Sequence, residues 1–370
     1  MLVKNKRPLP GICKRILLIQ LGDIGDVVLT MPAVRALRER FPESSLVIAV
    51  REKARGLVDD CPWVDGVVSI DKKKRIFARA LSYEAGFIKD LRRWRFDTAV
   101  DLRTGTRGAI LARLSGAKTR IGRYADDGEL WRNRMFTHLV RPPLQELNQY
   151  VAEHHLNILS PLKLKPVDRI PSLVVSNARR KKGVRLFREA GIPTDRPVIG
   201  FHPFSLWKYK ELDIDQCVSL VNYLCNAYPV SVIITGAPNE RERAAQVAAR
   251  CGAEVFNLAG KTSIGDLPAI FELCRLFIGV DTAALHIAAA VGVPTAGIFG
   301  PSSPVSWAPR GKQHVVVSKD LDCVPCRRKG CQDSERSRCI ETLTIEDILE
   351  KITPQLSRIG STAEQHTTGK

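Results

Sequence analysis

The sequence predicts an α/β protein made of two doubly wound, Rossmann-like domains in series. Short apolar, β-rich runs alternate with stretches of helical periodicity, and the alternation breaks once near Ser160 before starting again. The length agrees, because 370 residues exceed the size at which one hydrophobic core usually keeps growing.

In the first half Ile16 to Leu21, Leu46 to Val50, Val67 to Ile70 and Thr98 to Leu102 read as strands, and helices fit between them. Val27, Val28, Met31, Val34, Leu37 and Phe41, for example, recur at three- and four-residue steps. Pro161, Pro166 and Pro171 then interrupt the rhythm among polar residues, so residues 1–165 form the first domain and 166–176 the connection. Val198 to His202, Val230 to Thr235, Leu276 to Val280 and Thr295 to Phe299 are the strands of a second domain over 177–356, with helices such as Asp213 to Ala227 and Glu240 to Cys251. Residues 357–370 are polar and glycine-bearing and read as a frayed tail without a function of its own. Two such domains facing one another would bring the carboxyl ends of their strands to a central cleft, where open α/β sheets bind ligands.

A hydrophobic fraction of 44% and a charged fraction of 26% exclude a disordered or fibrous chain. No run approaches the ~18 to 20 apolar residues of a membrane span, and Lys4, Lys6, Arg7, Lys14 and Arg15 stand among prolines where a leader would carry an apolar stretch. A cytoplasmic protein is expected. The formal charge is +18, and residues 1–165 hold 31 basic against 18 acidic residues, a surplus of 13. Such a surplus attracts polyanions: nucleic acid, an anionic membrane surface or a phosphorylated substrate. Lys72-Lys73-Lys74-Arg75 and Arg179-Arg180-Lys181-Lys182 also fit solvated basic faces.

The loop after the first strand reads Leu21-Gly22-Asp23-Ile24-Gly25-Asp26-Val27-Val28. Its glycines allow a tight turn, and Asp26 falls where a helix N-cap would stand. The loop matches neither the Gly-x-Gly-x-x-Gly fingerprint nor the Gly-x4-Gly-Lys-Ser/Thr phosphate loop, which removes the main support for nicotinamide or ATP-hydrolase chemistry. A carboxylate here suits proton removal from an acceptor hydroxyl, and also a simple cap.

In the second domain Gly279-Val280-Asp281-Thr282-Ala283-Ala284-Leu285-His286 runs from a buried strand into a helix. Asp281 and Thr282 fall at the helix start, whose free N–H groups and positive dipole end bind phosphate. Phe299-Gly300-Pro301-Ser302-Ser303-Pro304 closes another strand with hydroxyls at the same edge. The Trp207-Lys208-Tyr209-Lys210 segment offers a cation for a leaving diphosphate, and Glu240 after Gly236-Ala237-Pro238 a carboxylate for a ribose or base.

In order, Ile16 to Ala33, Asp101-Leu102-Arg103, Ile121-Gly122, His202-Pro203, Val280-Asp281-Thr282 with His286, and Phe299-Gly300-Pro301-Ser302 resemble glycosyltransferase family 9, the heptosyltransferases. The likeness spans residues 15 to about 345. It implies the GT-B fold and an inverting transfer without metal or other cofactor. It further implies ADP-L-glycero-D-manno-heptose as donor and the phosphorylated, lipid-linked inner core of lipopolysaccharide as acceptor. On this resemblance Asp26 is the general base; Lys210, Glu240, Asp281, Thr282, Ala283 and His286 bind the donor; and Gly25, Arg103, Arg107 and Arg120 bind the acceptor. Ala283 stands where members often have Gly, Lys208 lies two residues from the matching lysine, and Phe204-Ser205-Leu206-Trp207 replaces the usual small-residue run. On this resemblance the basic first domain predicts reversible attachment to the anionic inner face of the inner membrane, and no nucleic acid is expected as partner.

Ten cysteines include Cys323-x2-Cys326-x4-Cys331-x7-Cys339 within a loop over 323–339, a spacing open to structural zinc, two disulfides or free thiols. Two other readings stay open: a GT-B transferase or epimerase using a UDP-sugar, and a basic nucleic-acid-binding protein, which explains charge and cysteines but leaves the paired sheets unused.

Overall fold

A computed structural model describes residues 2–6, 8–9, 11–71, 86–126, 130–141, 148–252 and 254–367. The chain divides into two units, Met1–Pro171 and Ser172–Lys370, and the division falls inside the stretch 166–176 that the prolines mark.

The first unit begins with β1 (Leu2–Asn5), then β2 (Arg15–Gln20), α1 (Ile24–Val28), α2 (Met31–Arg40), β3 (Ser45–Arg51) and β4 (Gly66–Ile70). It continues through β5 (Thr98–Asp101), α3 (Thr106–Leu114), β6 (Thr119–Arg123), α4 (Leu130–Arg134), β7 (His138–Val140) and α5 (Val151–Ile158). Its described sheet has the order β1-β7-β6-β5-β2-β3-β4, parallel except for β1 against β7. Ile16, Leu17, Leu18 and Ile19 of β2 are wholly buried, the continuous apolar run expected of a parallel strand covered on both faces. Leu17, Ile19, Val47 and Ala99 pack with Ala109, Ala112 and Phe136 to form one core.

The second unit runs α6 (Asn177–Glu189), β8 (Val198–His202), α7 (Ile214–Ala227), β9 (Ser231–Ile234), α8 (Arg241–Ala249), β10 (Val255–Asn257) and α9 (Leu267–Phe271). Then come β11 (Leu276–Val280), α10 (Ala283–Ala290), β12 (Thr295–Ile298), α11 (Pro304–Trp307), β13 (His314–Val317), α12 (Arg338–Glu341) and α13 (Ile345–Thr367). The sheet is parallel, β10-β9-β8-β11-β12-β13, and Ile199, Phe201, Ile278 and Ile298 share a core with Leu220, Leu224, Val247 and Ile352.

All eight strands expected from the sequence form. Where the sequence suggested a tail from residue 357, α13 runs on to Thr367, and Ile348, Ile352, Leu356 and Ile359 make one buried apolar stripe along it as far as residue 359. Among the described residues no helix is long and apolar enough to cross a membrane.

Each sheet reverses its strand order once. In the first unit the chain moves outward from β2 through β3 to β4 and returns to β5 on β2's other side; in the second it moves from β8 through β9 to β10 and returns to β11. The loops after β2 and β5, and those after β8 and β11, therefore flank the topological switch points, the usual ligand positions of open α/β sheets.

Candidate active site

Because β2 pairs with β5 with Ile19 opposite Asp101, the chain leaves both strands at one edge, bringing the Gly22–Asp26 loop beside Arg103. Asp23 is the N-cap of α1, which corrects the reading of Asp26 as the cap. Asp26 lies one turn on, buried, and its Oδ2 accepts hydrogen bonds from the Asp23 N–H at 2.8 Å and from Arg103 Nη1 at 2.8 Å. Only glycine fits at 22, since a Cβ would stand 2.4 Å from Asp26 Oδ2 and 2.7 Å from Arg103 Nη1. Asp23 binds Arg51 and Lys53 at 3.0 and 2.7 Å. Burial works against its ionised form, but Lys53, Arg51 and Arg103 outweigh it and hold its pKa below the ordinary carboxylate value.

Beneath the loop lies a buried polar network that sequence reasoning missed. Gln20 Nε2 donates to Thr30 Oγ1 (2.8 Å) and stands 3.2 Å from His155 Nε2, while Gln20 Oε1 accepts from the Gly22 N–H at 3.1 Å. Thr30 Oγ1 donates to the Asp26 carbonyl at 2.7 Å. Burial depresses the His155 pKa to about 4, so the ring is neutral near pH 7. With Nε2 accepting from Gln20, Nδ1 carries the proton and faces the Leu29 carbonyl at 3.2 Å.

Of the other residues matched to the acceptor side, Gly25 lies within α1 and Arg107 is exposed on the first turn of α3. Arg120 sits elsewhere. It pairs with Ala99 low in the sheet, and its guanidinium donates to the carbonyls of Ala117 and Met135, which precede β6 and β7 at the amino ends of the strands. Its place in the register puts it at the opposite edge from Asp26 and Arg103.

The second unit repeats the arrangement. β8 pairs with β11 with His202 opposite Gly279, so the loops after them meet, and Lys210 Nζ lies 2.6 Å from Asp281 Oδ2. Lys208 is exposed, whereas Lys210 is half-buried against Asp281. The Lys210 loop is pinned by Glu211, whose carboxylate accepts from the Ser205 N–H at 2.8 Å and from both terminal nitrogens of Arg243 at 3.2 and 2.7 Å. Arg243 also lies over the Phe204 ring. Neither residue was singled out from the sequence, because a carboxylate and an arginine 32 positions apart carry no local pattern.

Thr282 is the N-cap of α10 but makes no side-chain capping bond. Its Oγ1, like Ser302 Oγ in the turn after β12, is buried with no hydrogen-bond partner among the described residues. Buried hydroxyls are ordinarily satisfied, so the orphan at Thr282, on a helix start without a side-chain cap, is open to a polar ligand. Ala283 is the first residue of α10, and His286 Nε2 lies 3.9 Å from Asp281 Oδ1 with its ring near Trp307. Glu240 closes a short turn after β9, its Oε2 accepting from the Ala237 N–H at 2.6 Å, and burial raises its pKa.

Cys339 is buried, Cys326 half-buried, and Cys323 and Cys331 exposed, and no disulfide joins them in the structure. Among the described residues no three His, Cys, Asp or Glu side chains gather as metal ligands, so the spacing is not matched by an assembled set. The Lys72 to Arg75 cluster lies outside the described residues. In the second cluster Arg180 holds Glu272 at 2.8 and 2.9 Å and Lys182 holds Asp266 at 2.7 Å, which fits a solvated, internally paired helix face.

The model of glycosyltransferase family 9 (heptosyltransferase) matches residues 85–336. Lipopolysaccharide heptosyltransferase 3 of Escherichia coli is 29% identical over 290 residues, covering 77% of this chain and 83% of its own. A family 9 glycosyl transferase from Veillonella parvula superposes with a TM-score of 0.81 at 20% identity, covering 95% of this chain and 99% of its own. The ADP-heptose lipopolysaccharide heptosyltransferase II of Escherichia coli superposes with a TM-score of 0.76 at 20% identity, covering 93% and 99%. With two Rossmann-like units of the GT-B type and a family match across most of its length, the chain belongs to glycosyltransferase family 9, the heptosyltransferases, and is a glycosyltransferase.

Proposed function

We propose that the protein transfers a heptose, with inversion, from ADP-L-glycero-D-manno-heptose to a hydroxyl of the phosphorylated inner core of lipopolysaccharide. One observation carries the reading: each unit places an acid paired with a base at its switch point, Asp26 with Arg103 and Asp281 with Lys210. The names of relatives that act on ADP-heptose or lipopolysaccharide support the choice of substrates.

In the reaction Asp26 takes the proton of the acceptor hydroxyl on a heptose or Kdo as that oxygen attacks the anomeric carbon. The new C–O bond forms as the bond from the anomeric carbon to the β-phosphate oxygen breaks, and ADP leaves with the electron pair. The first N–H groups of α10, the Thr282 hydroxyl and Lys210 receive the growing negative charge. Asp281 and His286 face the transferred sugar, and Glu240 faces the nucleoside. Gly25, Arg103 and Arg107 receive the anionic acceptor; Arg120, spent on two carbonyls at the far edge of the sheet, is left out. The basic surplus of the first 165 residues supports a cytoplasmic enzyme gathered at the anionic inner face of the membrane, where the acceptor lies.

Thermal stabilisation by ADP compared with UDP tests the donor. A clearly larger shift with ADP is expected; a larger shift with UDP would favour a UDP-sugar instead.

A further inference from the structure

We infer that the buried pair Asp101–Arg132 is a positioning device for Arg103, fixing its main chain so that its guanidinium meets Asp26; this rests on the roles of Asp26 and Arg103 proposed above. The Arg132 side chain is 0% exposed and that of Asp101 1%, while the Arg103 side chain is 44% exposed. The two buried groups grip the Arg103 residue from either end. Asp101 Oδ1 accepts its N–H at 3.2 Å, and Arg132 Nη2 donates to its carbonyl at 2.6 Å.

The same guanidinium reaches Asp101 Oδ2 at 3.4 Å through Nη2 and the Arg123 carbonyl at 2.7 Å through Nη1, and it stacks over Phe136. Arg132 thereby ties together the loops that leave β5 and β6 at their carboxyl ends. Room for the carboxylate comes from Gly108 in α3, where a Cβ would stand 2.4 Å from both Asp101 oxygens.

A buried ion pair is a poor source of net stability, since desolvation offsets most of the attraction. Its hydrogen bonds to the main chain serve another end here. A long, half-exposed arginine has many rotamers, and anchoring its backbone at both peptide groups removes the largest displacement of its head. The Asp26–Arg103 contact is then preorganised for an anionic acceptor.

A double-mutant cycle separates positioning from bulk structure. Arg132→Lys keeps the charge but cannot reach the Arg103 and Arg123 carbonyls together. With a phosphorylated truncated core acceptor, kcat/KM for acceptor should fall by about 10- to 100-fold in Arg132→Lys, with the affinity for ADP unchanged. In an Arg103→Ala background the same substitution should cost less than about twofold, because its route of action is gone. Asp101→Asn, of equal size, carries the cycle if Arg132→Lys does not fold. Equal losses in the two backgrounds, or loss of ADP affinity alongside, would overturn the inference and leave the pair a purely structural brace. If instead Asp26→Asn retained transfer, the base role of Asp26 on which the inference rests would fail, whatever the cycle gave; if the parent enzyme transferred no heptose, the proposed function itself would fail.

Discussion

Replacing Gly22 with alanine puts a methyl group where the structure holds the Asp26 carboxylate. The added carbon would lie 2.4 Å from Asp26 Oδ2, 2.7 Å from Arg103 Nη1 and 2.7 Å from Asp26 Cβ. The two side-chain ends can swing aside, but the third contact moves only with α1. Restoring a separation of ~3.5 Å requires a displacement of about 1 Å. Displacement of a reacting group by about 1 Å costs on the order of 100-fold, or about 2.7 kcal/mol in the barrier. We therefore expect kcat to fall by about two orders of magnitude in Gly22→Ala, read as ADP release with saturating donor and acceptor. The affinity for ADP, measured by calorimetry, should be unchanged, because the proposed nucleotide residues are on the other unit. Overpacking should cost about 1 to 3 kcal/mol of stability, partly offset by the smaller entropy of the unfolded alanine chain. A folded Gly22→Ala enzyme within about twofold of the parent kcat would refute the placement of Asp26 at the reacting hydroxyl.

Lys210→Ala strands Asp281, whose side chain is 5% exposed against 18% for the lysine. Breaking a buried pair costs ~3 to 5 kcal/mol, and the lysine's partial exposure reduces this to about 2 or 3, measurable in urea, together with weaker ADP binding. Unchanged ADP affinity would remove Lys210 from the donor site. Thr282→Val should act in the opposite sense on the free protein, raising stability by up to about 1 kcal/mol because the buried hydroxyl has no partner to lose, yet weakening ADP; a loss of stability would mean the hydroxyl is already satisfied. Acid should weaken the fold through His155, His202 and His314, each depressed by burial from 6.5 to about 4. Between those values the unfolded chain binds protons the folded chain refuses, so stability is present above the window and lost as pH falls through it. Asp101 opposes this, since burial raises its carboxyl from 3.8 to about 7 and its contribution is lost as pH rises. Glu240, also raised by burial, acts in the same sense as Asp101. With three histidines against two carboxyls, the urea midpoint should be lower near pH 5 than near pH 7, and an equal or higher midpoint would contradict the assignment.

The strands of both switch points could be read in the sequence because parallel, doubly covered strands are continuous apolar runs, as β2 and β11 show. Less visible were β1, β6, β7, β10 and β13, short strands of which four lie towards the edges of their sheets. Asp26 and Asp281 stood out because a glycine turn or a helix start adjoins each. Their partners did not stand out so clearly. Arg103 was attached to the acceptor by resemblance, but its bond to Asp26 depends on the β2–β5 register. Arg132, wholly buried, looks in sequence like any arginine of an exposed helix, since only tertiary packing decides that its charge is enclosed. Arg120 shows the converse, a basic residue near a family motif whose place low in β6 turns it toward two carbonyls at the far edge. For Asp26, the sequence pattern of a helix start was right but the cap was three residues earlier, at Asp23.

The most direct measurement incubates the purified protein and its Asp26→Asn variant with ADP-heptose and a set of phosphorylated, truncated core acceptors, following acceptor mass and ADP release together. The account predicts a gain of one heptose matched by one ADP with the parent enzyme, and a loss of about 10²- to 10⁴-fold in the variant while ADP still binds. Transfer that survives in Asp26→Asn, or a parent enzyme that leaves every such acceptor unchanged but accepts another sugar nucleotide, would contradict it.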